Sequence, residues 1–293
     1  MSSPADIFGD EDFLKTLSYL DLTAKQIRAG SRRGERASRR TGSGTLFRDY
    51  RSYSRGDDLR YVDWNIYGRL DSLFVKVFEV EESADVLLFV DRSLSMDFGT
   101  PTKLDFARRI AAALGYIALS HLDQVTVVPV PGNEIRSFSG KLHAPALFSH
   151  LLEQAPEGET DLYGSVRRAL GPARRSRLAI VISDLLDPQG WQRAVEYLLH
   201  RRHRVFLVHV VSAEEEEPEL SGSLRLLDSE TGRIREVRVT DQLLEEYREV
   251  WSLFCSRAES FARRREIGHA RVRSDLPFGP AVLTILRRGG VVR

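Results

Sequence analysis

The sequence predicts an α/β protein built on a doubly wound, mostly parallel sheet of six strands, and three observations carry that prediction. From Asp85 to Ser212, short apolar runs alternate with segments of helical periodicity, the pattern of strand–helix–strand units. Runs such as DVLLFV (85–90) and LAIVIS (178–183) show no polar alternation, as expected of strands covered by helices on both faces. One tight-turn signal, Pro131-Gly132-Asn133, joins Val125–Val130 to Ile135–Phe138 and marks an antiparallel pair at one edge of the sheet.

The elements follow in order. From about Asp10 to Arg28, Phe13, Leu14, Leu17, Leu20 and Ile27 recur at helical spacing, which predicts an amphipathic N-terminal helix. A basic stretch from Arg28 to Gly44 lacks apolar anchors and reads as a flexible connection. Its six arginines also suit a nucleic-acid arm, but no aromatics are interleaved with them, so the connection is the preferred reading. From Thr45 to Val80, aromatic and β-branched residues predict strands of a small β unit. Within the main sheet a long helix is expected over Lys103–Leu122 and another from about Trp191 to His200, with strands at Leu178–Ser183 and Val205–Val211. After an acidic loop, Glu214–Glu217, two alternating segments flank Ser229–Gly232 and predict a hairpin at about 220–240. A long helix over Asp241 to about Arg265, a strand at His269–Arg273 and a closing helix at Phe278–Leu286 complete the chain. The division is thus 1–80, holding helix, basic connection and β unit, and 81–293, holding the sheet and the hairpin insertion.

With 43 basic against 42 acidic residues the 293-residue chain carries a formal charge of +1, so no overall field draws in nucleic acid or a membrane surface. The single cysteine, Cys255, sits in a helical stretch beside Trp251, Leu253 and Phe254 and reads as a core residue without a disulfide partner. That composition fits a reducing compartment. The most apolar helix candidate is too short to span a bilayer and the N-terminus lacks a basic start followed by an apolar run, so the expected location is cytoplasmic.

Open α/β sheets bind ligands beyond the carboxyl ends of their strands, where the strand order reverses. Two apolar strands here run into aspartates, Asp91 and Asp184. After the first the chain reads DRSLSM, in which Asp91, Ser93 and Ser95 alternate and can aim their oxygens at one spot. Thr160, in GETDLYG, precedes a helix start. Together these are hard oxygen donors with little negative charge, which suits Mg²⁺ or Mn²⁺ better than zinc and leaves the ion seeking a further carboxylate. Each piece also has a plainer reading: Ser and Asp after a strand form turns, Thr160 can cap a helix, and Asp184 with Asp187 can precede a helix marked by Pro188. Their joint placement on one edge favours the metal.

The strand followed by DxSxSM, the later Thr-Asp pair and the strand-terminal aspartate resemble the metal-ion-dependent adhesion site of von Willebrand A domains. On that resemblance Asp91, Ser93 and Ser95 form a first metal loop, Thr160 a second and Asp184 a third, some acting through water. The segment from Phe47 to Glu81, FRDYRSYSRGDDLRYVDWNIYGRLDSLFVKVFEVE, resembles the signature of the bacterial family known as domain of unknown function 58, which joins it to a von Willebrand A-like domain. Arg51, Tyr53, Gly56, Asp57, Asp58, Arg60, Asp63, Trp64, Arg69, Lys76 and Glu79 carry that likeness, which runs on through LLDSETG to the C-terminus. The resemblance implies a Rossmann-like fold and a partnership with a MoxR-type AAA+ ATPase, as adaptor or co-chaperone.

Two other functions compete with a non-catalytic module that captures a partner's Asp or Glu. A haloacid-dehalogenase-like phosphohydrolase also places an Asp after its first strand, yet the second acid it needs two residues on is Ser93 here. A scaffold with an empty metal site is the third. Asp57, Asp58 and Asp63 invite a catalytic reading, but interleaved Arg51, Arg55, Arg60 and Arg69 point to a structural ion-pair network bracing the β unit against the main domain.

Overall fold

The computed structural model describes residues 13, 15–21, 23–24, 46–79, 85–121, 123–171 and 176–289. The basic connection from Arg28 to Gly44 and both ends of the expected N-terminal helix lie outside them. The chain forms two compact units, one of residues 32–83 and the other of residues 1–31 with 84–293.

The larger unit is a mixed α/β structure around a six-stranded, mostly parallel sheet. Its strands are β3 (Asp85–Asp91), β4 (Gln124–Val130), β5 (Arg136–Ser139), β6 (Leu178–Ser183), β7 (Arg204–Val211) and β10 (Gly268–Arg273), in the order β10-β7-β6-β3-β4-β5. Only β5 is antiparallel, turning back on β4 at the edge as Pro131-Gly132-Asn133 predicts. Alternate residues of each buried strand face opposite layers. Leu88 and Val90 of β3 join the core beneath the helix Lys103–Ser120, together with Ala144–Glu153 and Phe278–Gly289. Leu87 and Phe89 join the opposite core beneath Leu162–Leu170, Trp191–His200 and Asp241–Arg264. Two-sided burial is the physical reason for the uninterrupted apolar runs.

The N-terminal helical residues belong to this unit rather than to the β unit with which the sequence division grouped them. Phe13, Leu17 and Leu20 are buried in its core, and the Phe13 ring meets Phe278 at 5.1 Å and Phe148 at 6.1 Å between centroids. An amphipathic helix must cover its apolar stripe, and sequence proximity does not decide which surface covers it.

In the smaller unit β1 (Leu46–Ser52) pairs antiparallel with β2 (Phe74–Glu79). Between them lies a short helix, α1 (Trp64–Leu70), in a span where the sequence predicts only strands of a small β unit. Asp63 caps it, accepting from the backbone N–H of Asn65 and Ile66 at 3.0 and 3.3 Å. A good cap thus outweighs the β propensity of Trp64, Ile66 and Tyr67. The acidic run is wholly engaged: Asp57 takes a bidentate fork from Arg51 at 2.7 and 2.6 Å, Asp58 pairs with Arg60, and Asp63 also accepts from Tyr50 and pairs with Lys76 at 2.9 and 3.0 Å. The neutralising partner of Asp63 is therefore a lysine, not one of the arginines. With Lys76 and the Tyr50 hydroxyl leading, these bonds hold its pKa down to about 2.

His209 lies fully buried on β7, and neither ring nitrogen has a hydrogen-bond partner among the described residues. Burial, and then the neighbouring His269, push its pKa from 6.5 down to about 3. Between those values the unfolded chain binds a proton that the folded chain refuses, so stability falls as pH drops below about 6.5. Denaturant melts of wild type and His209→Phe at pH 7 and pH 5 should show the variant gaining about 2 kcal/mol on wild type at the lower pH. Identical pH responses would show that His209 carries no such penalty.

Candidate functional site

The order of the strands creates the site. Of the two parallel neighbours of β3, β4 follows it through the helix α2 (Lys103–Ser120), whereas β6 arrives later from the other side, so the crevice opens between the carboxyl ends of β3 and β6. Asp91 ends β3, and Asp184 directly follows β6; both are completely buried.

Asp91 accepts at Oδ1 from the Ser93 backbone N–H, 3.0 Å, and at Oδ2 from the Ser183 hydroxyl, 2.5 Å. Ser93 Oγ lies 3.0 Å from Ser95 Oγ, and Ser95 donates to Asp184 Oδ2 at 2.9 Å. The alternation in DRSLSM thus brings Asp91, Ser93, Ser95 and Asp184 into one chain of oxygens. Ser93 stands at the head of a single 3-10 turn, Leu94–Met96, without capping it through its side chain, so the turn reading does not consume its hydroxyl.

Thr160 reaches this edge through its backbone surroundings. Glu157 N–H donates to Arg92 C=O at 2.8 Å and Leu94 N–H to Gly158 C=O at 3.0 Å, lacing the second loop to the first. Arg92, itself buried, clamps both by donating to Pro131 C=O at 2.8 Å and to Glu157 at 2.8 Å. The cap of the following helix, Leu162–Leu170, is Asp161, which accepts from Gly164 N–H at 2.8 Å. Thr160 is therefore not the cap. Its hydroxyl, 2% exposed, donates instead to Glu230 at 3.1 Å. Asp187 accepts from Leu162 N–H at 3.2 Å and ties this loop to the one after β6.

Four participants escaped the sequence reading. Ser183 orients Asp91, and Lys103, wholly buried, donates to Asp184 Oδ2 at 2.8 Å and to Glu215. Glu215 is held in turn by a reciprocal cap with Ser212 at the short helix Ala213–Glu216. Glu230 completes the set. Lys103 carried a signal: it opens a helix, where the dipole disfavours a cation. A lysine buried there needs carboxylates from elsewhere, and Asp184 and Glu215 outweigh the burial that opposes its charge, raising its pKa. Glu215 is raised, because burial outweighs the attraction of Lys103. Among the described residues Asp91 has no cation on either oxygen; burial, and then the Asp184 charge, push it up to about 7.

The donors fit a small hard cation. Ligands at neighbouring corners of an octahedral Mg²⁺, each about 2.1 Å from the ion, lie about 3.0 Å apart, the spacing found for Ser93 to Ser95. A cation would also offset the burial and the Asp184 charge that raise the Asp91 pKa. Among the described residues no three His, Cys, Asp or Glu side chains form a metal cluster, so hydroxyls and water would supply much of the coordination. Nitrogen or sulfur ligands suited to zinc do not take part.

The model for the family described as protein of unknown function DUF58 matches residues 49–252. An uncharacterised protein of Mycobacterium tuberculosis (strain H37Rv) is 29% identical over 255 residues, spanning 83% of this chain and 80% of that relative. An uncharacterised protein of Mycobacterium avium is 34% identical over 95 residues, 32% of this chain and 56% of the relative. Among solved structures, the conserved hypothetical protein BatB from Bacteroides thetaiotaomicron aligns at 16% identity and a TM-score of 0.44, over 70% of this chain and 96% of its own. An aerotolerance-related membrane protein from Bacteroides fragilis aligns at 16% identity and 0.45, over 70% and 98%. No helix among the described residues of the present chain is long and apolar enough to cross a membrane.

Removing Lys103 leaves Asp184 and Glu215 buried and uncompensated. Lys103→Met should cost about 3 kcal/mol in denaturant melts, and adding Glu215→Gln should return a large part of it. Additive losses in the double variant would mean that the two side chains do not act as a pair.

Proposed function

Since the chain belongs to the DUF58 family, we propose that its larger unit is a von Willebrand A-type module that holds Mg²⁺ or Mn²⁺ and binds a protein partner rather than catalysing a reaction. The observation that carries this reading is the hydrogen-bonded group Asp91, Ser93, Ser95 and Asp184 at the crossover of the sheet, with the loop that holds Thr160 laced to the first loop through Glu157 and Gly158. The sheet order, with one antiparallel edge strand, supports the fold assignment.

On this reading Asp91, Ser93, Ser95 and Thr160 face the cation, and Asp184, already engaged by Ser95 and Lys103, acts mainly by orienting them and through water. The bound ion supplies a positive centre with an open position for an acidic side chain. Lys103 cancels part of the site's own negative charge, so the ion keeps its appetite for an outside carboxylate. Loops tied by backbone hydrogen bonds hold the donors in place before binding, which lowers the ordering cost of recognition. By family analogy alone, we propose a MoxR-type AAA+ ATPase as partner, with this chain as adaptor or co-chaperone in the cytoplasm. A phosphohydrolase would need an acid at Ser93, whose hydroxyl instead meets Ser95.

Thermal melts should rise with Mg²⁺ or Mn²⁺ for wild type and stay unchanged for Asp91→Ala, and ion at a hundred times its Kd should stabilise by about 2.7 kcal/mol. Pull-down of a AAA+ ATPase should then be lost with chelator. Absence of any metal shift in wild type would sink the reading, and phosphatase turnover abolished by Asp91→Asn would replace it with the hydrolase.

A further inference from the structure

The hairpin that follows β7 extends no sheet among the described residues. Its strands, β8 (Gly222–Leu227) and β9 (Ile234–Val239), pair only with each other. Most of its residues are exposed, and from residue 225 to residue 236 Glu230 alone is half-buried. That residue sits at the apex, and its carboxylate accepts from the buried hydroxyl of Thr160 across 70 positions of sequence.

The apex is built to present it. Asp228 accepts from the backbone N–H of both Glu230 and Thr231 at 3.0 Å. Gly232 N–H closes the turn on Asp228 C=O at 2.9 Å, in a left-handed conformation (φ 68°) that favours glycine. Asp228 N–H then donates to Arg233 C=O at 2.9 Å. A locally organised turn therefore carries one acidic side chain to an edge that already holds Asp91 and Asp184. Lys103, the ammonium buried beside Asp184, is committed to Asp184 and Glu215. A further carboxylate brought to such an edge is repelled unless a cation lies between the acids.

We infer that Glu230 is the site's own carboxylate: seated on Thr160, it occupies the ligand position that an external acidic partner would take, and the partner binds only once the hairpin lifts away. The inference rests on the metal-binding reading above. It explains why the hairpin packs on no other strand: an arm that must release should be held mainly at its tip. Exchange of one carboxylate for another keeps the charge around the ion constant, so release costs little beyond the contacts of the apex itself.

The test uses the full chain, with Mn²⁺ as probe, in wild type, Glu230→Gln and Asp91→Ala. Glu230 lies in a solvent-facing turn, so its variant retains the fold, which the melting temperature without metal checks. Mn²⁺ should slow amide exchange at residues 228–232 of wild type, and Glu230→Gln should abolish that slowing and weaken Mn²⁺ binding in calorimetry at least about tenfold. Equal Mn²⁺ affinity in wild type and Glu230→Gln, lost in Asp91→Ala, with unchanged hairpin exchange, would overturn the inference and leave the metal site standing. Should wild type bind no Mn²⁺ at all, the metal-binding reading fails and this one with it.

Discussion

Two carboxylates, Asp91 and Asp184, are completely buried at the ends of neighbouring parallel strands, and much of the surrounding structure answers to them. An ionised group taken out of water is tolerated only where other groups replace its hydration. Around Asp91 that task falls to the Ser93 amide and the Ser183 hydroxyl; around Asp184 it falls to Ser95, Lys103 and the Leu186 amide. The burial of Lys103 at a helix start, unfavourable in isolation, follows from the same demand, as does the capped turn that holds Glu215 against it.

The imbalance that remains has functional meaning. One ammonium is shared by Asp184 and Glu215, while among the described residues Asp91 pairs with no cation and burial, then the Asp184 charge, raise its pKa to about 7. On the proposed metal-binding reading, hydroxyls rather than further carboxylates would line the ion, and few anionic ligands would leave it strongly Lewis-acidic, the useful property for gripping an acidic side chain. Seating Glu230 on Thr160 places an acidic side chain of the chain's own within this scheme.

The smaller unit treats its charges differently. Asp57, Asp58 and Asp63 are each satisfied locally, by Arg51, Arg60 and the Lys76–Tyr50 pair, and two of them also cap a helical turn. Fixing turns and register with charge-assisted bonds is a structural use of acidity. The contrast with Asp91, whose carboxylate meets neutral donors only, separates the two acidic regions on physical grounds.

What could be read directly was whatever depends on short-range pattern. Continuous apolar runs announced strands buried on both faces, Pro131-Gly132-Asn133 announced the antiparallel edge, and aspartates at strand ends with alternating hydroxyls announced Asp91, Ser93, Ser95 and Asp184 as one group. Placement of the N-terminal helix, the helix inside the small β unit, and the roles of Ser183, Lys103, Glu215 and Glu230 needed the folded chain. Lys103 and Asp184 are 81 residues apart, Thr160 and Glu230 are 70 apart, and no local periodicity encodes such meetings. By itself the sequence determined the layers and marked the aspartates and serines that gather at the strand tips; tertiary structure decided which charges balance and which carboxylate arrives, because compensation of a buried charge is settled by proximity in space, not along the chain.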